Sequence, residues 1–274
     1  MCRIRFIVLP FLTFLFLQSC KPGVSPSKEH FNKGNELLFK DDLNGARGEY
    51  EIAVQIDTTN WQACYELAGV YELQGDFKNA FYYFSRTAQL NPKFAMGYYN
   101  LSNLEGLMGD EKGSMRDLKK TIAIKKDLFS AWLTKARTEY GNRNYKEAIA
   151  DLDTAISLRD DFYVAYSIRG TCKFSIKDYA GAINDFTMEI NLVPTHDMGY
   201  VNRGVVYGEM QNYRAAINDM NAAINVEPLW SQAYIYRGIY YQKMNVMDSA
   251  CGDFRMAFKL KNPQAESYSK QYCK

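Results

Sequence analysis

Proline and histidine are scarce in this chain of 274 residues, which contains 7 prolines and 2 histidines. Because proline breaks helix interiors, its scarcity is compatible with long uninterrupted helices. The alternation of apolar and polar residues that marks strands is also hard to find, whereas apolar residues recur at spacings of three and four. The sequence therefore predicts an all-α protein. Its 47% hydrophobic content is that of a folded body, not of a disordered chain.

A surplus of charge of either sign is also missing. Lys and Arg number 33 against 31 Asp and Glu, and removal of Arg3 and Arg5 with a predicted leader makes the two counts equal at 31. Binding to nucleic acid depends on a basic face that neutralises phosphates. We therefore predict no nucleic-acid partner.

Common catalytic and metal-binding motifs are absent from the sequence. It contains no Cys-x-x-Cys, no phosphate-binding or dinucleotide-binding glycine loop and no His-Glu-x-x-His, and His30 and His196 lie far apart. We expect no metal site and no cofactor, and we predict that the protein is not an enzyme. An enzyme whose catalytic residues are scattered along the chain stays open as an alternative.

The first twenty residues have the pattern of a secretion signal. Two arginines precede the apolar run 6–17, which is too short to span a bilayer because a spanning helix takes about 20 apolar residues. The ending Leu-Gln-Ser-Cys20 resembles the lipobox of bacterial lipoproteins. This resemblance implies that residues 1–19 are a signal peptide and that Cys20 is lipidated. A plain signal peptide with a free Cys20 is the alternative.

Residues 20–27 are predicted to form the lipidated cysteine and a tether, since proline, glycine and serine dominate them. Lys21 follows the cysteine. Among lipoproteins with a sorting rule, Asp at this position goes with retention at the inner membrane. We therefore expect a protein of the bacterial cell envelope that is anchored in the outer membrane, and its orientation toward the periplasm or the outside stays open.

A repeat of 34 residues fills most of the chain. Positions are counted from the first residue of each block, and positions 8 and 20 are small in every block, whereas positions 4 and 24 are mostly bulky. Position 8 holds Gly34, Ala68, Ser102, Ala136, Gly170, Gly204 and Gly238. The seven blocks are residues 27–60, 61–94, 95–128, 129–162, 163–196, 197–230 and 231–264.

The length, the small and aromatic positions and the proline that ends several blocks resemble the tetratricopeptide repeat. This resemblance covers residues 27–264 and implies a right-handed superhelical solenoid of seven antiparallel helix pairs with a concave groove. The third block is the weakest match, with Glu105 at an aromatic position and Glu111 where other blocks have rings. Residues 265–274 are predicted to form a polar capping helix, because an array must cover its last stacking face.

A basic column and an acidic column run through the repeats. We predict that they form a structural ladder of ion pairs, because a half-buried arginine needs a carboxylate. Pairing within a block and pairing to the following block stay open, and a ligand site is the alternative reading. Position 7 holds Lys135, Arg169, Arg203 and Arg237, and position 23 holds Asp117, Asp151, Asp185, Asp219 and Asp253.

Three further residues stand out. Cys251 and Cys273 are candidates for a disulfide, since exported proteins keep such bonds, and two free thiols are the alternative. Glu189 occupies a packed position where most blocks have alanine. We expect it to pair with a neighbouring Arg or Lys.

The resemblance also implies a concave surface lined by the first helices of the blocks. Its aromatic, amide and guanidinium side chains suit an extended peptide or a helix of a partner protein. The alternative is that several of these rings serve only helix packing. The candidate groove residues are Tyr65, Tyr99, Asn103, Arg137, Tyr140, Thr171 and Phe174. We therefore expect a membrane-anchored, protein-binding scaffold. The alternative is a subunit of an envelope assembly or a cell-wall-associated complex that binds through the convex face or the loops.

Overall fold

The computed structural model describes residues 24–273, and within this range the chain forms fifteen α-helices and no β-strand. The chain divides into two compact units, residues 1–91 and residues 92–274. The described part of unit 1 has the helices α1 (Pro26–Phe39), α2 (Leu43–Ile56), α3 (Trp61–Leu73) and α4 (Phe77–Leu90).

Unit 2 contains the other eleven helices of the described range. They are α5 (Ala95–Leu107), α6 (Glu111–Ile124), α7 (Phe129–Gly141), α8 (Tyr145–Leu158), α9 (Tyr163–Ser175), α10 (Tyr179–Leu192), α11 (Asp197–Glu209), α12 (Tyr213–Val226), α13 (Ser231–Lys243), α14 (Met247–Lys259) and α15 (Ala265–Tyr272).

The helices follow the repeat. From α3 to α13 every first helix begins at the first residue of a predicted block, and the second helices also begin 34 residues apart. Within each unit, consecutive helices pack against each other in sequence order. The all-α class and the architecture of successive helix pairs are therefore confirmed for the described residues.

The first helix begins one residue before the predicted start of the array. The tether was expected to reach residue 27, but α1 begins at Pro26 because the Ser25 side chain accepts a hydrogen bond from the backbone N–H of Lys28 at 3.3 Å. A serine cap followed by proline is a favoured helix start. The predicted signal peptide and Cys20 lie outside the described residues.

The turn inside each block depends on one residue with a positive φ angle. In five blocks this residue is not glycine, although the left-handed conformation costs such residues about 1–2 kcal/mol. The next residue is Asp or Asn in six blocks, and it usually caps the second helix, as Asp178 does by accepting from Gly181 N at 3.0 Å. The seven positive-φ residues are Asp41, Gly75, Gly109, Arg143, Lys177, Gln211 and Asn245.

In the four blocks with glycine at position 8, a bulky side chain of the second helix lies over this glycine of the first helix. Phe186 lies over Gly170, where an added Cβ would come within 2.8 Å of the ring. Tyr50 lies over Gly34 in the same way, and both rings are buried. The small residues therefore set the distance between the paired helices.

The last helix is fixed to the array by a disulfide and by stacked rings. Cys251 and Cys273 form the bond, with 5.5 Å between their Cα atoms. Tyr268 of α15 stacks on Phe254 of α14 with ring centroids 5.1 Å apart. The α15 helix thus covers the apolar end of α14, the role of a cap.

Candidate binding surface

In blocks 4 to 7 the basic residue at position 7 pairs with the acid at position 23 of the same block. Arg203 donates from Nε and Nη2 to the two carboxylate oxygens of Asp219, at 3.0 and 2.8 Å. Arg169 and Arg237 bind Asp185 and Asp253 with the same two-pronged geometry, and Lys135 binds Asp151. The sequence left open whether each base pairs with the acid of its own block or of a neighbouring block. In the structure the pairs form within blocks.

Each ladder arginine also reaches back to the preceding block. The Nη1 of each arginine donates a hydrogen bond to the side chain at position 25 of the preceding block. Arg169 binds Asp153 at 2.6 Å, Arg203 binds Thr187 at 3.0 Å and Arg237 binds Asn221 at 2.7 Å. Both sides of each guanidinium are therefore bound inside the protein. This use of the side chains fits the structural ladder and not a ligand site.

The third block departs from the ladder. Leu101 occupies position 7, and Asp117 instead receives a hydrogen bond from Arg116 Nε at 3.1 Å. Arg116 Nη2 also donates to Glu105 Oε1 at 2.9 Å. Sequence reasoning singled out Glu105 but missed this cluster of two buried carboxylates that share one arginine.

Burial and the charge of Asp117 raise the pKa of Glu105 to about 7. Its side chain is only 3% exposed, and Oε2 has no hydrogen-bond partner among the described residues. A buried carboxylate with one unsatisfied oxygen favours its protonated form. The cluster therefore changes charge near neutral pH.

Glu189 pairs with a histidine, so the expected partner, an Arg or Lys, was wrong. His196 Nδ1 lies 2.8 Å from Glu189 Oε1, and the histidine ring packs edge-on against Tyr163 at 5.1 Å. Glu189 is fully buried, and this burial raises its pKa. The pair joins α10 to the loop before α11, a structural role.

Two cysteines stay as thiols. Cys64 and Cys172 are buried. Burial raises the pKa of Cys172 to about 11, so this thiol stays protonated and packs as a small apolar residue. Within residues 24–273, no three His, Cys, Asp or Glu side chains form a group able to hold a metal ion.

Thr171 and Phe174 are the two candidate groove residues that the structure brings together at one cavity. They line a space of about 170 Å³ together with Phe186, Asn202 and Val205. The Thr171 hydroxyl is bound to the Ser167 carbonyl at 2.9 Å, which leaves Asn202 as a polar side chain of this wall. The cavity lies between α9 and α11.

Arg137 and Tyr140 are the exposed members of the candidate set. In contrast to the ladder arginines, Arg137 makes no ion pair within the described range. Tyr140 keeps 38% of its surface exposed, and its ring lies 6.1 Å from that of Tyr145. These two side chains of α7 are available to a partner.

The other candidates are partly used by packing. Tyr99 Oη lies 3.4 Å from the Thr134 hydroxyl, and Asn103 is half-buried. Tyr65 belongs to unit 1, where its ring meets Phe84 edge-on at 5.7 Å. For Tyr65 and Tyr99 the structure therefore includes the packing role that the sequence could not separate from binding.

Family models of the tetratricopeptide repeat match residues 133–188 and residues 199–228, which lie in unit 2. These two ranges therefore contain tetratricopeptide repeats. Outside these two ranges, the same 34-residue spacing of helices continues through the other blocks. No curated protein matches the sequence.

Solved structures share this fold. A C-terminal part of a tetratricopeptide repeat protein from Cytophaga hutchinsonii has a TM-score of 0.75 at 14% identity, over 87% of this chain and 98% of that one. MamA is 24% identical over 61% of this chain and 97% of its own, with a TM-score of 0.58. YrrB, a repeat protein described as having an unusual peptide-binding site, is 17% identical over 67% and 95%, with a TM-score of 0.62.

Among the described residues, no helix is long and apolar enough to cross a membrane.

Proposed function

We propose that this protein is a non-enzymatic scaffold that binds another protein or peptide along the first helices of its tetratricopeptide repeats. The observation that carries this proposal is the contrast between two kinds of arginine. Arg169, Arg203 and Arg237 are bound on both sides by the framework. Arg137 is exposed beside Tyr140 and is free to bind a partner.

The cavity at Thr171 and Phe174 supports the same surface. An aromatic floor with an amide at its edge suits a side chain of an extended peptide, whose backbone Asn202 is able to bind. The peptide-binding site named for YrrB supports this ligand class by analogy of fold.

The location in the bacterial cell envelope is part of the proposal. The lipobox-like ending at Cys20 supports a lipid anchor, and the Lys21 that follows supports the outer membrane. The disulfide between Cys251 and Cys273 fits an oxidising compartment outside the cytoplasm. Several acyl chains hold a protein firmly at a bilayer, whereas a single chain binds only marginally.

Affinity capture from solubilised envelopes tests the binding surface. The wild-type protein is expected to retain a stoichiometric partner, and the double variant Arg137→Ala/Tyr140→Ala is expected to lose it. Arg143→Ala, an exposed arginine on the adjacent turn, is the matched control. Retention of the partner by the double variant, or capture of none by the wild type, would reject this groove.

Fractionation tests the anchor separately. Cys20→Ala is expected to leave the membrane fraction, because the lipid is the only attachment proposed. If this variant still sediments with membranes, lipidation is not what holds the protein there.

A further inference from the structure

The third block lacks an aromatic pair that the next two blocks have. In blocks 4 and 5 a ring at position 12 meets a ring at position 17, as in the pairs Tyr140–Tyr145 at 6.1 Å and Phe174–Tyr179 at 5.9 Å. The equivalent residues of block 3 are Gly106 and Glu111. Where the rings would lie, there is a cavity of about 280 Å³ that Gly106, Glu111, Ser114, Thr138, Gly141 and Asn142 line.

This cavity adjoins a larger cleft of about 740 Å³, with which it shares Glu111 and Asn142. One wall of the cleft is the outer side of α6, and the other is the turn between α7 and α8. The α6 wall consists of Glu111, Lys112, Met115, Arg116 and Lys119. The larger cleft alone is within the size range of ligand pockets.

The α6 wall belongs to the most basic segment of unit 2. Residues 111–126 contain six Lys and Arg but two acids, Glu111 and Asp117, of which Asp117 is buried. Lys112 and Lys119 are exposed, and neither has an ion-pair partner between residues 24 and 273. Two lysines without an ion-pair partner therefore face this cleft.

The ladder explains why Lys119 is free. It occupies position 25, where the following blocks have Asp153, Thr187 and Asn221 to accept the next arginine. A lysine offers no acceptor, and the basic residue of the next block is Lys135, which binds Asp151.

Arg116 is held in a fixed orientation at the edge of the cleft. Its Nη2 and Nε bind the buried carboxylates of Glu105 and Asp117, while 67% of the side chain stays exposed. A guanidinium positioned in advance loses less conformational entropy when it binds a carboxylate. The two buried acids therefore act as positioning groups for Arg116.

The composition of the cleft selects among anions. Lys112, Arg116 and Lys119 suit separate carboxylates, and the Asn142 carboxamide suits a peptide backbone. Glu111 and Glu139 also line the cleft, so its attraction for anions is confined to Lys112, Arg116 and Lys119, and a few spaced carboxylates suit it better than a dense polyanion such as polyphosphate. The adjoining cavity is free to take a ring, because rings fill the equivalent space in blocks 4 and 5.

We propose that the cleft between α6 and the α7–α8 turn binds an acidic segment of a partner protein, and that an aromatic side chain of this segment enters the cavity beside Gly106 and Glu111. This surface contains none of the candidate groove residues, although Thr138, Glu139 and Gly141 of α7 contribute to it. Its test therefore succeeds or fails independently of the scaffold function.

Fluorescence anisotropy with the full-length protein tests the proposal. The probe is a short fluorescein-labelled peptide of Asp and Glu around one central Tyr, and the comparison peptide has Ala in place of the Tyr. We expect the Tyr peptide to bind at least about tenfold more tightly, since a buried ring contributes more than 1.4 kcal/mol.

Two variants locate the binding. Lys112→Glu/Lys119→Glu reverses the charge of the wall, and Glu111→Tyr fills the cavity with the residue that blocks 4 to 6 have at this position. Each is expected to weaken binding at least about tenfold. Lys146→Glu, at the same position as Lys112 in the next block, is the matched control, and Arg137→Ala is expected to leave this binding unchanged.

Glu111→Tyr keeps the test valid, because it adds aromatic packing and is expected to fold at least as stably as the wild type. Absence of peptide binding would overturn the proposal. Equal weakening by Lys146→Glu would also overturn it, since binding would then follow overall charge. Inorganic polyphosphate that binds more tightly than the peptide, with no effect of the Tyr, would mean a general anion surface instead.

Discussion

The third and sixth blocks have helices of the same lengths and spacing, but they pair their buried acids in different ways. In block 6 one acid, Asp219, accepts two hydrogen bonds from the guanidinium of Arg203, whose side chain is 20% exposed. In block 3 two buried acids share Arg116, which is 67% exposed. Regular helix geometry therefore does not guarantee regular electrostatics, and the irregular block is the one with the open cleft.

The largest effect is expected from breaking the regular pairing. Arg203→Met leaves Asp219 buried without a partner and should lower the free energy of unfolding by about 3 kcal/mol at pH 7, measured with urea. Arg214→Met removes an exposed arginine of the following helix and should change it by less than about 0.5 kcal/mol. Equal effects of the two variants would contradict the ladder.

A second effect should come from neutralising the irregular cluster. The folded pKa of Glu105 is raised from 4.5 to about 7, so the folded state binds more protons than the unfolded state between these values. The contribution of Glu105 to the free energy of unfolding therefore increases as the pH falls from about 7 to 4.5. Above about pH 7 the ionised Glu105 destabilises the folded state to its full extent. Glu105→Gln should therefore raise the free energy of unfolding by about 1–2 kcal/mol at pH 8 and by nothing near pH 4.

Urea unfolding across this pH range measures that difference. Glu147→Gln, which changes an exposed glutamate, should show no comparable pH dependence. A gain for Glu105→Gln that is equal at both ends of the range would mean that charge is not its cause.

The turns of the third and fifth blocks offer a smaller contrast. Gly109 of block 3 has a φ of +81°, and Gly109→Ala should lower the free energy of unfolding by about 1 kcal/mol because alanine disfavours this conformation. Thermal unfolding should detect a lower Tm. An unchanged Tm would mean that the turn relaxes at no cost.

The smallest expected effect has the opposite sign. Lys177 of block 5 has a φ of +66°, so Lys177→Gly should relieve strain and raise the free energy of unfolding by up to about 0.5 kcal/mol. The gain is small because glycine also loses more backbone entropy on folding. Denaturant unfolding beside Gly109→Ala checks the sign, and a clear loss would show that the lysine side chain contributes more than its backbone costs.

The helices were predictable because they depend on local spacing, and the small residues at positions 8 and 20 repeat without a gap. The partner of Asp219 was not predictable, because Asp219 is almost equally far in sequence from Arg203 of its own block and from Arg237 of the next block. The approach of Arg116 to Glu105, eleven residues away, depends on how a helix packs and not on periodicity. The histidine beside Glu189 was missed because it comes from the loop before α11, where no helical spacing indicates its direction.

The candidate groove shows the same limit. The exposure of Arg137 and the cavity at Phe174 required coordinates, because positions along a helix do not reveal which donors are already bound. The sequence indicates the cleft at α6 by one feature, Gly106 and Glu111 at the positions of an aromatic pair. This feature is recognisable only by comparison with blocks 4 and 5, which have both rings.

The arginines that reach back to the preceding block also bear on how the array transmits force. Arg169, Arg203 and Arg237 fasten blocks 4 to 7 to one another, so tension on one of these blocks is shared with its neighbour. Between blocks 3 and 4 the equivalent position is Lys119, and this fastening is missing. A pull along the chain would therefore open that joint before the four blocks behind it, and the joint is the one that the proposed acidic segment would bridge.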